Sequence, residues 1–311
     1  MIISASRRTD IPNYYSDWFI NRIKDGYVYI RNPFNKKQIS KVDITKDVVD
    51  CIVFWTKNPK NMIDKLDELK GYDYYFQFTL TSYGKDIEPN LPNKSEDLIT
   101  VFKRLSDKIG KDNVIWRYDP ILLSDKYNKN YHLKAFEKIA NNLKGYTNKV
   151  IISFIDLYDK TLKNTKGLNL KKLNKEEMIF LAKNLSIIAE KNDMSIETCA
   201  EEIDLSEYGV RQGHCIDKTL IENIIGCKIK ANKDKNQRAI CGCIESIDIG
   251  AYNTCLNGCR YCYANFNEKT VEDNLKLYDI NSPILCDNIR EGDKIYERRV
   301  ESFKENQMSL L

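Results

Sequence analysis

The sequence predicts an α/β fold built as a complete or partial TIM-like βα barrel, and three observations carry that expectation. Short apolar, β-branched runs alternate with stretches of helical period through the first two thirds of the chain. No low-complexity segment or Pro/Gly-rich linker interrupts the alternation. Polar residues follow the predicted strands repeatedly, as they do at the edge of a parallel sheet where sites are built. A chain of 311 residues suits one such domain carrying an insertion or tail.

Strands are expected at Ile2 to Ser6, Val49 to Trp55, Tyr74 to Thr81, Val114 to Tyr118, Val150 to Ile155 and Met194 to Thr198. Helices are expected over Tyr14 to Lys24, Asn61 to Leu69, Ser95 to Ile109, Leu133 to Leu143 and Lys175 to Lys191. Ser95, just before an acidic first turn, is the expected N-cap of its helix. The polar strand ends are Ser6-Arg-Arg-Thr-Asp10, Thr56-Lys57-Asn58, Thr79-Leu-Thr81-Ser82, Arg117-Tyr-Asp119 and Glu197-Thr198-Cys199. After Cys199 the alternation gives way to a cysteine-rich segment reaching Cys243. A strand-like run, Ile244 to Gly250, comes next, then a cysteine loop, a helical stretch from Glu268 to Leu277 and a surface helix over Asn288 to Lys304. The chain therefore divides into a βα core (1–198), a cysteine-rich insertion with a second metal site (199–243), and a strand, loop and terminal helices (244–311).

Hydrophobic residues at 42% and charged residues at 30% suit a protein with a sizeable buried core. A net charge of +4 is too weak a bias to argue for a phosphate-binding surface, so nucleic acid is neither implied nor excluded as a partner. Apolar runs such as Ile151 to Ile155 are too short to cross a bilayer, and the opening MIISASRR lacks a signal peptide's long apolar stretch. The expectation is a cytoplasmic protein with no membrane partner. In that compartment ten cysteines read as reduced thiols, so their spacing is examined first for metal.

The loop Cys255-Leu-Asn-Gly-Cys259-Arg-Tyr-Cys262 presents three thiols with three and then two residues between them. So compact a loop can bind three irons of a [4Fe-4S] cube and leave the fourth without a protein ligand. Gly258 permits the tight backbone path. Zinc is the competing reading, since Cys241 and Cys243 could complete a tetrahedral thiolate set.

The loop resembles the hallmark of the radical S-adenosylmethionine superfamily, three cysteines at this spacing with an aromatic before the third. That resemblance implies a cluster held by Cys255, Cys259 and Cys262, with Tyr261 near the adenine. It also implies that S-adenosylmethionine chelates the open iron and is cleaved reductively to a 5′-deoxyadenosyl radical acting on a substrate. A reducing partner such as flavodoxin or ferredoxin would supply the electron. In most of that superfamily the loop follows the first strand, whereas here it lies beyond residue 250. If Ile244 to Gly250 is the first strand and Ile2 to Ser6 the second, the chain is a circular permutation of the usual barrel. Ser6-Arg-Arg-Thr-Asp10-Ile-Pro12, Trp55-Thr56-Lys57-Asn58 and Trp116-Arg117-Tyr118-Asp119-Pro120 are similar to the branch of spore photoproduct lyase and related photolyase-like proteins. Nearly the whole chain also resembles an uncharacterised bacterial family, domain of unknown function 1848, noted for a radical-type cysteine cluster at its C-terminal end.

Cys199, Cys215, Cys241 and Cys243 form a second group that could hold an auxiliary [4Fe-4S] cluster or zinc, with core thiols as the plain alternative. His214, beside Cys215, is a candidate ligand or proton donor or a packing residue. Cys51 and Cys286 read as core thiols. By strand position Ser4, Ser6, Arg8, Thr9, Asp10, Lys57, Gln77, Thr79, Arg117, Asp119 and Ser153 are candidates to contact S-adenosylmethionine or substrate. Arg117 or Lys57 could pair with the cofactor's carboxylate, and Asp119 or Asp10 could meet a ribose hydroxyl or ammonium. Two rival functions stand beside the radical enzyme: a zinc-binding, non-catalytic nucleic-acid module and an iron-sulfur electron carrier.

Overall fold

A computed structural model describes residues 1–157 and 159–305. Its strands, in chain order, are β1 (Ile2–Ala5), β2 (Tyr27–Arg31), β3 (Gln38–Asp43), β4 (Cys51–Thr56), β5 (Tyr74–Thr79), β6 (Val114–Ile121), β7 (Lys149–Phe154), β8 (Ser195–Cys199), β9 (Arg211–Gly213), β10 (Ile247–Asp248) and β11 (Lys294–Arg298). Eight of them form one sheet in the order β10-β1-β4-β5-β6-β7-β8-β9, every neighbour parallel. The edge strands β10 and β9 do not pair with each other, so the sheet is open rather than closed into a barrel. Among the described residues no helix is long and apolar enough to cross a membrane.

Both faces of this sheet are covered, which is why β4 reads as an unbroken apolar run, Cys-Ile-Val-Phe. On the outer face, helices Ser16–Asp25, Ile99–Ile109, Lys129–Leu143 and Lys175–Lys191 bury Phe19, Phe102, Phe136 and Leu185 against Phe54, Phe76, Trp116 and Ile152. Ring stacking at 4.6 Å joins Phe54 to Phe76 and Trp116 to Phe136. The inner face is layered. Its lower part, Ile2, Val53, Tyr75, Ile115 and Ile151, packs against Cys215, Ile216, Ile221, Ile229, Cys241, Cys243 and Ile244 of the cysteine-rich segment. One residue pair further along the strands the same face turns polar, with Ser4, Gln77, Arg117 and Ser153.

Four local expectations change. The helix start near Ser95 is capped by Asn93, whose side chain accepts from the Ser95 N–H, and a π turn over Lys94–Leu98 leads into the helix. Residues 288–304 contain β11 rather than a helix. This strand pairs parallel to β3, which pairs antiparallel to β2, making a separate three-stranded sheet. Exposed along its length and carrying Lys, Glu and Arg, β11 has the charges of a protected edge strand, a pattern easily confused with a solvated helix. The third change is the run Ile244–Gly250, which is strand only at Ile247–Asp248. Finally, the helix from Leu133 begins earlier, at Lys129, where the Asn128 side chain accepts from the Tyr131 N–H. Residues 306–311, the end of the expected third segment, lie outside the described residues.

The Asp248 side chain, at the end of β10, accepts from Ser4 Oγ (2.7 Å), Ser6 Oγ (2.7 Å), the Arg7 N–H (2.8 Å) and the Gly250 N–H (3.0 Å). This carboxylate thus closes the seam between the late strand and the start of the chain. Gly250 must be glycine for the same packing reason, since a Cβ would stand 2.1 Å from Ser6 Oγ and 2.6 Å from its Cβ. Asp248→Ala strands these donors together and should cost about 2–4 kcal/mol. Urea unfolding checks this, and an unchanged midpoint would show that the seam does not depend on the carboxylate.

Candidate functional site

The cysteine loop follows β10 and therefore lies at the C-terminal edge of the parallel sheet. Its base is closed by Asn253, at φ 58°, whose N–H donates to the Ala264 carbonyl at 3.0 Å. Asn265 Nδ2 donates to the Cys255 carbonyl at 2.6 Å, Asn90 Nδ2 to that of Leu256 at 2.7 Å, and the Arg260 N–H to that of Ile87 at 3.0 Å. At the centre Asn257 donates to Asp10 Oδ2 at 3.0 Å and accepts from Tyr14 Oη at 2.9 Å. Gly258 has φ +66°, and a Cβ there would press within 2.9 Å of Asn90 Nδ2. Between the last two thiols the Cys262 N–H donates to the Cys259 carbonyl at 3.0 Å, a tight turn. All three cysteines are half-buried.

The first two of these thiols sit in a field that favours their protons. Burial, then Asp10 and the other two cysteines, push Cys255 well up. Burial pushes Cys259 up to about 12 against the pull of Lys57. Among the described residues no three His, Cys, Asp or Glu side chains already stand in the arrangement of a metal site.

Tyr261 belongs to a network that the sequence does not advertise. Glu88, fully buried in the loop after β5, accepts from Lys57 Nζ at 2.8 Å, from Thr81 Oγ1 at 2.9 Å, and from Lys94 Nζ and Tyr261 Oη. Lys57 also donates to Tyr261 Oη at 2.8 Å. Burial alone would raise the Glu88 carboxyl, but the two ammonium groups win and hold it at about 2. The same balance raises Lys57, whereas burial and the charge of Lys57 leave Lys94 lowered. Three loops thus meet at one carboxylate: the one after β4, the one after β5 and the cysteine loop.

The expected cofactor contacts separate into two groups. Asp10 and Lys57 stand with Tyr261 around the cysteine loop. Asp10 caps the short helix Ile11–Tyr14 and also accepts from the Lys57 N–H at 2.8 Å, so its oxygens are engaged in holding the loop. Thr9 is buried and its Oγ1 has no hydrogen-bond partner. Gln77, Arg117, Asp119 and Ser153 gather on the inner face. Arg117 donates to Asp119 Oδ2 through Nε at 3.0 Å, to Gln77 Oε1 at 3.3 Å and to Cys215 Sγ at 2.9 Å. Ser153 donates to the other oxygen of Asp119. Burial would raise Asp119, yet Arg117 holds it below the ordinary carboxylate range.

The second cysteine group is drawn together at this place. Cys199 and Cys215 approach at 3.0 Å between sulfurs, and Cys241 and Cys243 pack in the same buried cluster. The neighbouring Cys243 lowers Cys241 to about 7. Gly242 allows this bend because the His214 ring occupies the space of a side chain, 2.0 Å from a Cβ position. Cys51 and Cys286 are buried in the core as expected, while Cys227 is half-buried just after the helix Lys218–Ile225. Arg7 bridges the two regions. Its guanidinium lies over the Trp55 ring at 5.2 Å, and its carbonyl accepts from Tyr263 Oη at 2.8 Å, next to Cys262.

Glu88 provides a pH test. Its carboxyl is near 2 in the folded chain against an ordinary 4.5, so the stabilisation is present above pH 4.5 and is lost as pH falls from there toward 2. Glu88→Gln leaves two buried ammonium groups without their anion and should cost about 3–5 kcal/mol at neutral pH. It should also flatten the acid limb of the stability profile in that window. Denaturation midpoints at a series of pH values would show this, and a parallel acid limb in the variant would refute the assignment.

No curated protein matches the chain. A family match, in contrast, spans residues 2–264, taking in the parallel sheet and both cysteine groups and ending two residues after Cys262. The chain belongs to the family described as a domain of unknown function (DUF1848).

Proposed function

We propose that this protein is a radical S-adenosylmethionine enzyme whose [4Fe-4S] cluster is held by Cys255, Cys259 and Cys262. The observation that carries the reading is the three-thiol loop itself, its backbone clamped by hydrogen bonds at the C-terminal edge of a parallel sheet. The donor set fits. Three half-buried thiols share a short turn, and a bound cation would take the place of their protons. Bound there with S-adenosylmethionine, the cluster would supply the electron that breaks a carbon–sulfur bond to give methionine and a 5′-deoxyadenosyl radical.

The chain's own residues prepare that chemistry. Asp10 and Asn257 fix the centre of the loop, and Glu88 pins Tyr261 and Lys57 beside Cys259. Lys57 and Lys94 bring positive charge to a centre that receives an electron, favouring the reduced state. Thr9 Oγ1 is a polar group with hydrogen-bonding capacity to spare for the cofactor. Arg117 and Asp119 have theirs filled within the protein, so they are read as ordering the inner face. The position of β10 beside β1 supports the permuted reading, in which an open, partial barrel begins with a strand made late in the chain. Flavodoxin or ferredoxin would be the electron donor.

Anaerobic reconstitution followed by dithionite and S-adenosylmethionine should yield 5′-deoxyadenosine and methionine. Cys259→Ala should abolish both products, a loss of at least about a hundredfold. An iron-sulfur electron carrier gives no 5′-deoxyadenosine. Zinc alone, with no cluster absorption after reconstitution, would sink the proposal.

A further inference from the structure

We infer that Cys199, Cys215, Cys241 and Cys243 bind a single tetrahedral metal ion of the zinc type on the inner face of the sheet. The four residues come from three separate stretches of chain: the end of β8, the loop after β9, and the Cys241-Gly-Cys243 turn. They nevertheless gather in one buried cluster, in which the Cys199 and Cys215 sulfurs approach at 3.0 Å and Cys241 and Cys243 pack around the same core. Three are buried and Cys199 is half-buried.

Core thiols that only fill space require no polar company, and these have it. Arg117 Nη1 donates to Cys215 Sγ at 2.9 Å, and the Ile216 N–H donates to Cys243 Sγ at 3.4 Å. Arg7 lies in the field of Cys243 and Cys215, with a buried Nη2 that has no hydrogen-bond partner. Guanidinium groups keep their charge in any protein interior, so donors of this kind suit sulfur atoms that carry negative charge. Four thiolates around a divalent ion leave a net charge of about −2, which the guanidinium groups of Arg117 and Arg7 would offset.

Size selects the occupant. Metal–sulfur bonds of about 2.3 Å place tetrahedral sulfurs about 3.8 Å apart. The 3.0 Å contact of Cys199 with Cys215 reaches that by a small opening, and it is too long for a disulfide. A four-iron cube binds each cysteine at a different iron and holds the sulfurs well beyond contact, so a single ion fits better. Gly242, packed on the His214 ring, keeps the turn between the last two ligands narrow.

The site uses none of the loop cysteines, so it can be tested without the radical reading. The protein is the full chain with Cys255, Cys259 and Cys262 all changed to Ala, supplied with zinc or cobalt(II) alone. We expect about one tightly held zinc per chain and, with cobalt(II), the intense visible bands of a tetrahedral thiolate ion. Cys215→Ser with Cys243→Ser should lower the retained metal at least about tenfold, whereas Cys241→His should keep the ion with a shifted cobalt spectrum. Absence of the cobalt bands in the loop variant would overturn the inference, and so would metal retained after both serine changes. Iron with acid-labile sulfide in the loop variant would replace the single ion by a cluster. None of these results bears on whether the intact chain forms 5′-deoxyadenosine.

Discussion

An open parallel sheet has two apolar faces to remove from water, and here the inner one is covered by the segment that bears four cysteines. Ile216, Ile221, Ile229 and Ile244 do for the lower half of that face what barrel closure would otherwise do. The polar layer above, with Gln77 and Arg117 at its centre, is then sheltered rather than solvated. A guanidinium buried in such a place is tolerable only because Asp119, Gln77 and Cys215 satisfy its donors. Fold stability and the chemistry of the second cysteine group therefore rest on the same packing.

The cysteine loop depends on a different device, buried carboxylates that face several loops at once. Asp10 ties the loop to the short helix after β1 and to the chain after β4, while Glu88 ties it to the loops after β4 and β5. Asp248 does the same for the seam between β10 and β1. Each of the three carboxylates gathers several hydrogen bonds or cations from separate stretches of chain, which fixes the geometry around the cysteine loop.

Much of the sheet was legible because buried parallel strands announce themselves: Cys51-Ile-Val-Phe and Val150-Ile-Ile have no other comfortable home. The loop at 255–262 drew notice because its three cysteines stand close together in sequence. Glu88 was not, since nothing in Ile87-Glu-Pro-Asn90 says that a carboxylate is buried until Lys57 and Lys94 are placed around it. Asp248 was hidden for the same reason, its partners lying more than 240 positions away. The strand β11 misled because a charged edge strand and a solvated helix have similar composition. Lys57 and Tyr261 were each expected only as cofactor contacts, and the residue that organises both, Glu88, lay outside the expected set.

The seam between β10 and β1 also orders events during synthesis. Asp10, Tyr14, Lys57, Glu88 and Asn90, which cradle the cysteine loop, all leave the ribosome before the loop itself. A chain built in this order can complete most of its sheet before the three thiols exist. The cradle is in place before the loop emerges, so the loop docks on a nearly finished scaffold rather than on a nascent strand.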